Sequence, residues 1–103
     1  MPSVADLVEP HLLLNLATHA TLRLGREIAA ADAVEFVDFA PLLVRGRVGG
    51  PQTTSQRRTT ELRSDDGVLR WSCTCSRKGM FCKHCVALAI AVSDKAPKRR
   101  GRT

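Results

Sequence analysis

The spacing of hydrophobic residues changes near residue 32 of the chain. Before this position apolar side chains recur every three or four residues, the period of one face of an α-helix. We predict a short helix that begins near Pro10, because the fixed backbone of proline suits a first turn. A second helix is predicted to begin after a capping threonine, Thr18 or Thr21, and to end near Ala31. Its predicted apolar face comprises Leu22, Leu24, Gly25, Ile28, Ala29 and Ala31.

After residue 32 the apolar residues alternate with polar ones, as on half-buried strands. The glycine-rich stretch 49–55 indicates a loop. The polar segment 56–63 is predicted to be an exposed or edge strand, followed by a hairpin turn at Asp66-Gly67. The predicted strands are residues 33–39, 42–48, 56–63 and 68–73.

The last periodic segment, residues 83–93, is apolar nearly all round. A helix of this kind must pack on more than one side. The predicted fold is therefore α+β, with N-terminal helices, a small antiparallel sheet of about four strands, and a β-hairpin leading into a C-terminal helix. Residues 1–94 are predicted to form one domain, and residues 95–103 a basic tail that is disordered by itself.

Cysteine is confined to one short segment. All four cysteines lie between Cys73 and Cys85, together with His84. Thiolate sulfur and imidazole nitrogen are the ligands that zinc prefers, in a four-coordinate tetrahedral arrangement. Two ligand pairs separated by a six-residue turn are able to fold back on one ion. The cluster predicts a zinc site of structural type, because four protein ligands leave no position open for water.

The residues alone leave two ligand sets open. Both use Cys73, Cys75 and Cys82, and the fourth ligand is either His84 or Cys85, which completes a Cys-x-x-Cys pair. Cys85 is in phase with the apolar residues of the last helix, so a buried apolar cysteine is its favoured identity. A redox pair is a weaker alternative, because nothing in the sequence resembles a thioredoxin-type βαβ setting.

The cysteine spacing resembles that of the SWIM-type zinc finger, whose pattern is Cys-x-Cys, a variable spacer and Cys-x-His. The apolar segment after His84 is similar to the helix that follows the histidine in that family. Residues 24–28 and 33–34 are similar to the helix and strand that precede the motif in bacterial members, although Asp32 stands where a glycine is more usual. The resemblance implies that Cys85 is not a ligand. It implies that the Zn²⁺ ligands are Cys73, Cys75, Cys82 and His84.

The charge of the chain is unevenly distributed. Its formal net charge is +6. Residues 1–56 hold four arginines and six acids, whereas residues 57–103 hold twelve lysines and arginines and four acids. A basic half joined to a zinc cluster favours nucleic acid as the partner, with DNA bound largely through phosphate contacts. The predicted contacts are Arg57, Arg58, Arg70, Arg77, Lys78 and Lys83.

The resemblance also implies a second kind of partner. SWIM modules occur with Snf-type remodelling ATPases, Mutator-type transposases, recombination proteins and MEK kinases, where DNA or protein binding is inferred. We expect the module to act here without an attached catalytic domain. The alternative hypothesis is therefore a protein-interaction adaptor for a separate partner such as a remodelling ATPase or helicase.

Sequence motifs of catalysis do not support an enzyme. The chain has no glycine-rich phosphate loop, no nucleophile with a plausible base and no paired carboxylates outside a turn, so we expect a non-enzyme without a small-molecule substrate. The amino terminus carries acids where a signal peptide has basic residues, and no run approaches a membrane span. We therefore expect a cytoplasmic protein, where clustered cysteines remain reduced and bind metal.

Overall fold

Helices precede and follow a sheet, in the order that the hydrophobic periods predict. A computed structural model describes the backbone of residues 3–8, 10–31, 33–50, 53–74 and 81–95, and their side chains except at 10, 11, 50 and 53–58. The predicted α+β class is confirmed. The elements are α1 (Val4–Leu7), α2 (Pro10–Leu13), α3 (His19–Ala30), β1 (Val34–Ala40), β2 (Leu43–Gly50), β3 (Thr53–Asp65), β4 (Val68–Cys73) and α4 (Lys83–Lys95).

Side-chain caps begin two of the N-terminal helices. At α1 the Ser3 hydroxyl accepts from the backbone N–H of Asp6 (3.3 Å), and the Asp6 carboxylate accepts from the backbone N–H of Ser3 (3.0 Å). This reciprocal capping box satisfies two backbone donors that the helix leaves open. At α3 the Thr18 hydroxyl accepts from the N–H of Thr21 (3.2 Å), so Thr18 is the cap of the two candidates. None of the described helices has the length and apolar character needed to cross a membrane.

The four strands form one antiparallel sheet in the order β1-β2-β3-β4. Val44 lies opposite Leu62, and Leu62 lies opposite Trp71, in a row of apolar residues on the face toward the helices. We call this the covered face. On the other face, which we call the open face, Arg45 lies opposite both Asp38 and Glu61. The alternation of apolar and polar residues therefore divides the sheet as predicted.

The strand ladder corrects two predictions. β2 extends to Gly50 and β3 begins at Thr53, so most of the loop predicted over 49–55 belongs to strands. Backbone pairing continues the ladder to its end, where Gly50 lies opposite Thr53. The edge position predicted for 56–63 is also wrong, because β3 lies between β2 and β4. Polar residues are tolerated on this central strand because one face of the sheet is open to solvent.

The turn between β3 and β4 has the predicted backbone. Asp66 and Gly67 have φ values of 57° and 82°, in the left-handed region that a tight hairpin requires. Asp65 lies opposite Val68, so the two strands pair up to the turn itself. This hairpin carries Cys73 at its far end.

The last helix lies at the centre of the core, as its all-round apolar sequence predicts. In α4 the residues 84–89 and Val92 are buried, between α3 on one side and the covered face on the other. A methyl group at Gly25 of α3 would collide with the Val86 side chain and lie 3.1 Å from the Lys83 carbonyl oxygen. The two helices therefore approach at a distance that glycine permits. Two predicted members of the α3 apolar face, Leu24 (42% exposed) and Ala31, are exposed instead, because the buried face is formed by Leu22, Gly25 and Ile28.

Candidate metal centre

The candidate ligands lie where the sheet is followed by the last helix. Cys73 is the final residue of β4, and Cys82 directly precedes α4. The central strand fixes the position of Cys73, which lies opposite Thr60 in the ladder. The backbone N–H of Val86 donates to the carbonyl of Cys82 (3.0 Å), which starts the helix and places His84 in its first turn.

Three of the four predicted ligands are brought together. The sulfurs of Cys73 and Cys82 and a ring nitrogen of His84 all lie within 4.8 Å of one another. Cys82 and His84 are buried, and Cys73 is half-buried. The fourth predicted ligand, Cys75, lies outside the described residues. Cys73, Cys82 and His84 are thus positioned to bind one metal ion.

The geometry of this group fits zinc. Zinc bonds of about 2.3 Å to sulfur and about 2.0–2.1 Å to nitrogen place sulfur and nitrogen about 3.6 Å apart at a tetrahedral angle. The observed distance from Cys82 Sγ to His84 Nδ1 is 3.7 Å. Thiolates and an imidazole are also the donor types that zinc takes in structural sites.

Hydrogen bonds at Cys82 favour its thiolate form. The pKa of the Cys82 thiol lies well below its ordinary value, mainly because its sulfur accepts a hydrogen bond from Cys73, and further because of bonds from Cys85 and His84. Burial acts in the opposite direction and is outweighed. Because zinc binds the thiolate and not the thiol, these donors prepare Cys82 for a metal.

Cys85 lies beside the ligands and belongs to the apolar core. Its side chain is fully buried, as predicted from its helical phase. Its sulfur is 3.8 Å from that of Cys82, but within the described part of the chain Cys85 is not a member of the group positioned for metal. The pKa of the Cys85 thiol is raised by its hydrogen bond to Cys82, by burial and by the negative charge of Cys82. These effects favour a protonated Cys85 beside the Cys82 thiolate.

An aromatic contact joins the two chain segments that carry the ligands. Phe81, directly before Cys82, packs edge-to-face on Trp71 of β4 with a centroid distance of 5.0 Å. Phe81 is 5% exposed. Such a pair adds about 0.5–1.5 kcal/mol beyond the burial of its area. The contact holds the start of α4 against the end of β4 independently of any metal.

Comparison with known families gives one result. The SWIM zinc finger family model matches residues 59–93, about a third of the chain. The matched segment contains Cys73, Cys82 and His84. The predicted resemblance is confirmed for this segment, and we call residues 59–93 the SWIM finger after the family model that they match. No curated protein and no solved structure matches the chain. The SWIM finger thus consists of the second half of β3, β4 and most of α4, and the elements α1–α3, β1 and β2 pack around it.

The structure describes two of the six side chains predicted to contact nucleic acid. Arg70 is exposed on the open face, with its Nε atom 3.6 Å from the Asp65 carboxylate. Lys83 is exposed at the start of α4, in the helical layer on the other side of the sheet. These two cations therefore lie in different layers of the fold. Outside the described side chains are Arg57, Arg58, Arg77 and Lys78.

The open face carries arginines that we did not predict to be functional. Arg45, Arg47 and Arg63 share this face with Arg70, as their alternation with buried residues would have indicated. Arg45 lies 3.0 Å from the Asp38 carboxylate and 3.4 Å from that of Glu61. A second arginine, Arg63, lies 3.9 Å from Glu61. These acids offset much of the arginine charge on the open face.

Proposed function

We propose that this chain binds one zinc ion through Cys73, Cys75, Cys82 and His84, and that the zinc is structural. The observation that supports this most is the mutual approach of Cys73, Cys82 and His84 within 4.8 Å inside the SWIM finger. Zinc would supply a crosslink between the end of β4 and the start of α4. With four protein ligands it would have no open coordination position, so the proposal includes no catalytic step.

We further propose that the zinc-stabilised surface binds nucleic acid, and DNA in particular, mainly through phosphates. The support is charge: residues 57–103 carry twelve lysines and arginines against four acids. Phosphate contacts from such residues give an affinity that depends strongly on salt and weakly on sequence.

The end of the fold that carries Cys73, Cys82 and Lys83 is called the zinc end. The charges of the described residues favour this zinc end over the open face as the surface that contacts nucleic acid. Lys83 is exposed between two candidate ligands, and no carboxylate is paired with it among the ion pairs of the described residues. Arg70, by contrast, already lies beside Asp65. Exposed pairs of this kind are weak, so Arg70 stays available to a phosphate but contributes less than Lys83.

A DNA titration tests this proposal. Anisotropy of labelled duplex and single-stranded DNA is measured over a salt series, and log affinity should fall linearly with log salt. Lys83→Gln should lower the slope on duplex by about 0.9, the loss of one phosphate contact. The matched control is Lys95→Gln, which removes the same charge from the other end of α4. Absence of binding at low salt refutes the proposal, and equal effects of the two variants refute its placement at the zinc end.

A protein-interaction adaptor is the second candidate function. Its support is a set of large apolar side chains exposed around the β1–β2 hairpin, Val37, Phe39 and Leu42. In the adaptor hypothesis the partner is a separate protein such as a remodelling ATPase or helicase. If the wild-type chain holds zinc but does not bind DNA at low salt, the adaptor hypothesis would be favoured.

A further inference from the structure

A buried hydroxyl group lies directly behind one of the zinc ligands. Thr60 of β3 has 0% exposure, although threonine is mostly an exposed residue. Its Oγ1 atom lies 3.3 Å from Cys73 Sγ, across the β3–β4 ladder where the two residues are partners. A buried hydroxyl without a partner is costly, so this contact explains why a polar residue is accepted there.

A sulfur atom occupies the corresponding place behind a second ligand. Cys85 Sγ lies 3.8 Å from Cys82 Sγ, and Cys85 also has 0% exposure. The two contacts reach different ligands from different elements, one from the central strand and one from α4. Both ligand sulfurs that the structure describes, those of Cys73 and Cys82, therefore have a buried hydrogen-bonding group beside them that is not itself in the group positioned for metal.

We propose that Thr60 and Cys85 are positioning residues of the zinc site, each donating one hydrogen bond to the sulfur of a ligand cysteine. This inference rests on the proposed zinc centre. A metal-bound thiolate has no proton and only accepts, so the direction of both bonds is set by the metal: the Thr60 O–H and the Cys85 S–H donate. Neither residue replaces a ligand in this assignment.

Such bonds have two physical consequences. They fix the orientation of the sulfur before the metal arrives, and they withdraw electron density from it, which reduces its donation to the metal. Changes to groups that orient metal ligands cost about 10–100-fold in metal affinity. Thr60 should have the larger effect, because a hydroxyl is a stronger donor than a thiol.

Thr60 allows a closely matched set of variants. Thr60→Val removes the hydroxyl and keeps the branched shape, and Thr60→Ser keeps the hydroxyl. Thr59→Val makes the same chemical change at the neighbouring exposed position of β3. Zinc affinity is measured by competition with a chromophoric chelator in the full chain. We expect about 10-fold weaker binding in Thr60→Val, with Thr60→Ser and Thr59→Val close to wild type.

A spectroscopic measurement separates positioning from simple loss of stability. At saturating Co²⁺, used in place of zinc, the sulfur-to-cobalt charge-transfer band should move to longer wavelength in Thr60→Val, because the sulfur that has lost its donor gives up an electron more easily. Cys85→Ala should move the band in the same direction by a smaller amount. The intensity of the charge-transfer band should not change in either variant, because the number of cobalt–sulfur bonds is the same.

The possible failures are distinguishable. If the wild-type chain binds no zinc, the proposed metal centre itself is wrong. If it binds zinc and Thr60→Val matches it in affinity and in spectrum, the role of Thr60 is refuted and the metal centre stands. If Cys85→Ala loses charge-transfer intensity, Cys85 is a ligand and its assignment as a donor is refuted.

Discussion

The SWIM finger and the N-terminal helices are held in the fold by different means. Helices α1 and α3 begin with side-chain caps, and α3 packs on α4 through the close approach at Gly25. None of the four proposed ligands belongs to these helices. The finger, by contrast, joins β4 to α4 through Cys73, Cys82 and His84. One region depends on packing and the other on a proposed metal crosslink.

Helix α4 belongs to the finger and also packs against the N-terminal helices, and this makes the two regions interdependent. Its first turn carries the ligand His84, and its following residues fill the core against α3 and the covered face. The start of the helix is therefore held by the Trp71–Phe81 contact and by the proposed metal together. The comparison predicts that loss of metal affects the whole core, whereas loss of one packing contact leaves the metal site intact.

Removing the metal should have the largest effect. Chelation or Cys82→Ala should unfold the finger and release α3, because zinc contributes about 10–16 kcal/mol in finger peptides and whole domains are stable by about 5–15 kcal/mol. Trp71 is the one tryptophan of the chain and packs on Phe81, so its emission should move to longer wavelength. Circular dichroism should show the loss of α4.

The control for this experiment is Ser72→Ala, an exposed residue directly before Cys73. It should keep metal content and thermal midpoint. An unchanged midpoint in Cys82→Ala would show that packing alone holds the finger, and the contrast between the two regions would disappear.

Truncation of the core should have the next largest effect. Leu88 is fully buried on α4, so Leu88→Ala should cost about 2–5 kcal/mol of unfolding free energy. Leu14→Ala makes the same change at a side chain that is 54% exposed and should cost far less. Denaturant titration of the zinc-loaded protein measures both. Similar costs at the two positions would contradict the observed core.

A methyl group at Gly25 should separate the two helices. Gly25→Ala introduces a collision with Val86, and overpacking of this kind costs about 1–3 kcal/mol, against about 1 kcal/mol gained in helix propensity. We expect a net loss of stability with unchanged zinc content. Val86→Gly in the same chain should relieve the collision, because it removes both the Cβ and the Cγ1 atoms that the methyl group meets, so a double-mutant cycle should give a favourable coupling. A Gly25→Ala protein more stable than wild type would rule out the close approach.

The ion pairs on the open face should contribute least to the free energy of unfolding. Arg45→Gln breaks an exposed pair with Asp38 and a half-buried pair with Glu61, and we expect a loss of about 0–1 kcal/mol because both pairs lie on the face that is open to solvent. Zinc content should not change. A larger loss in denaturant titration would show that this ion-pair network supports the sheet, and that the open face is more than a solvated surface.

The sequence predicted much of the fold because local physics and tertiary structure agree there. The alternation around Val44 assigned the covered face, the apolar run of α4 indicated a central helix, and Asp66-Gly67 predicted the turn. The cysteine spacing indicated a metal cluster, and Cys73, Cys82 and His84 do approach one another. The fourth ligand, Cys75, stays a prediction.

The features that the sequence did not predict depend on which strands pair with each other. The order of apolar and polar residues along the chain does not contain this information. The polarity of 56–63 indicated an edge strand, yet β3 is central because polar side chains find room on the open face. The composition of 49–55 predicted a loop, although most of these residues belong to strands that pair through their backbones. Thr60 gave no signal in sequence, since its contact with Cys73 exists only through the register of β3 and β4.

Zinc X-ray absorption of the metal-loaded chain tests the central claim most directly. The proposed ligand set predicts three sulfur neighbours at about 2.3 Å and one nitrogen at about 2.0–2.1 Å around each zinc. One zinc per chain with this shell, and loss of one sulfur in Cys75→Ala, is the expected result. A shell of four sulfurs would replace His84 with Cys85, and a chain that retains no zinc would contradict the account.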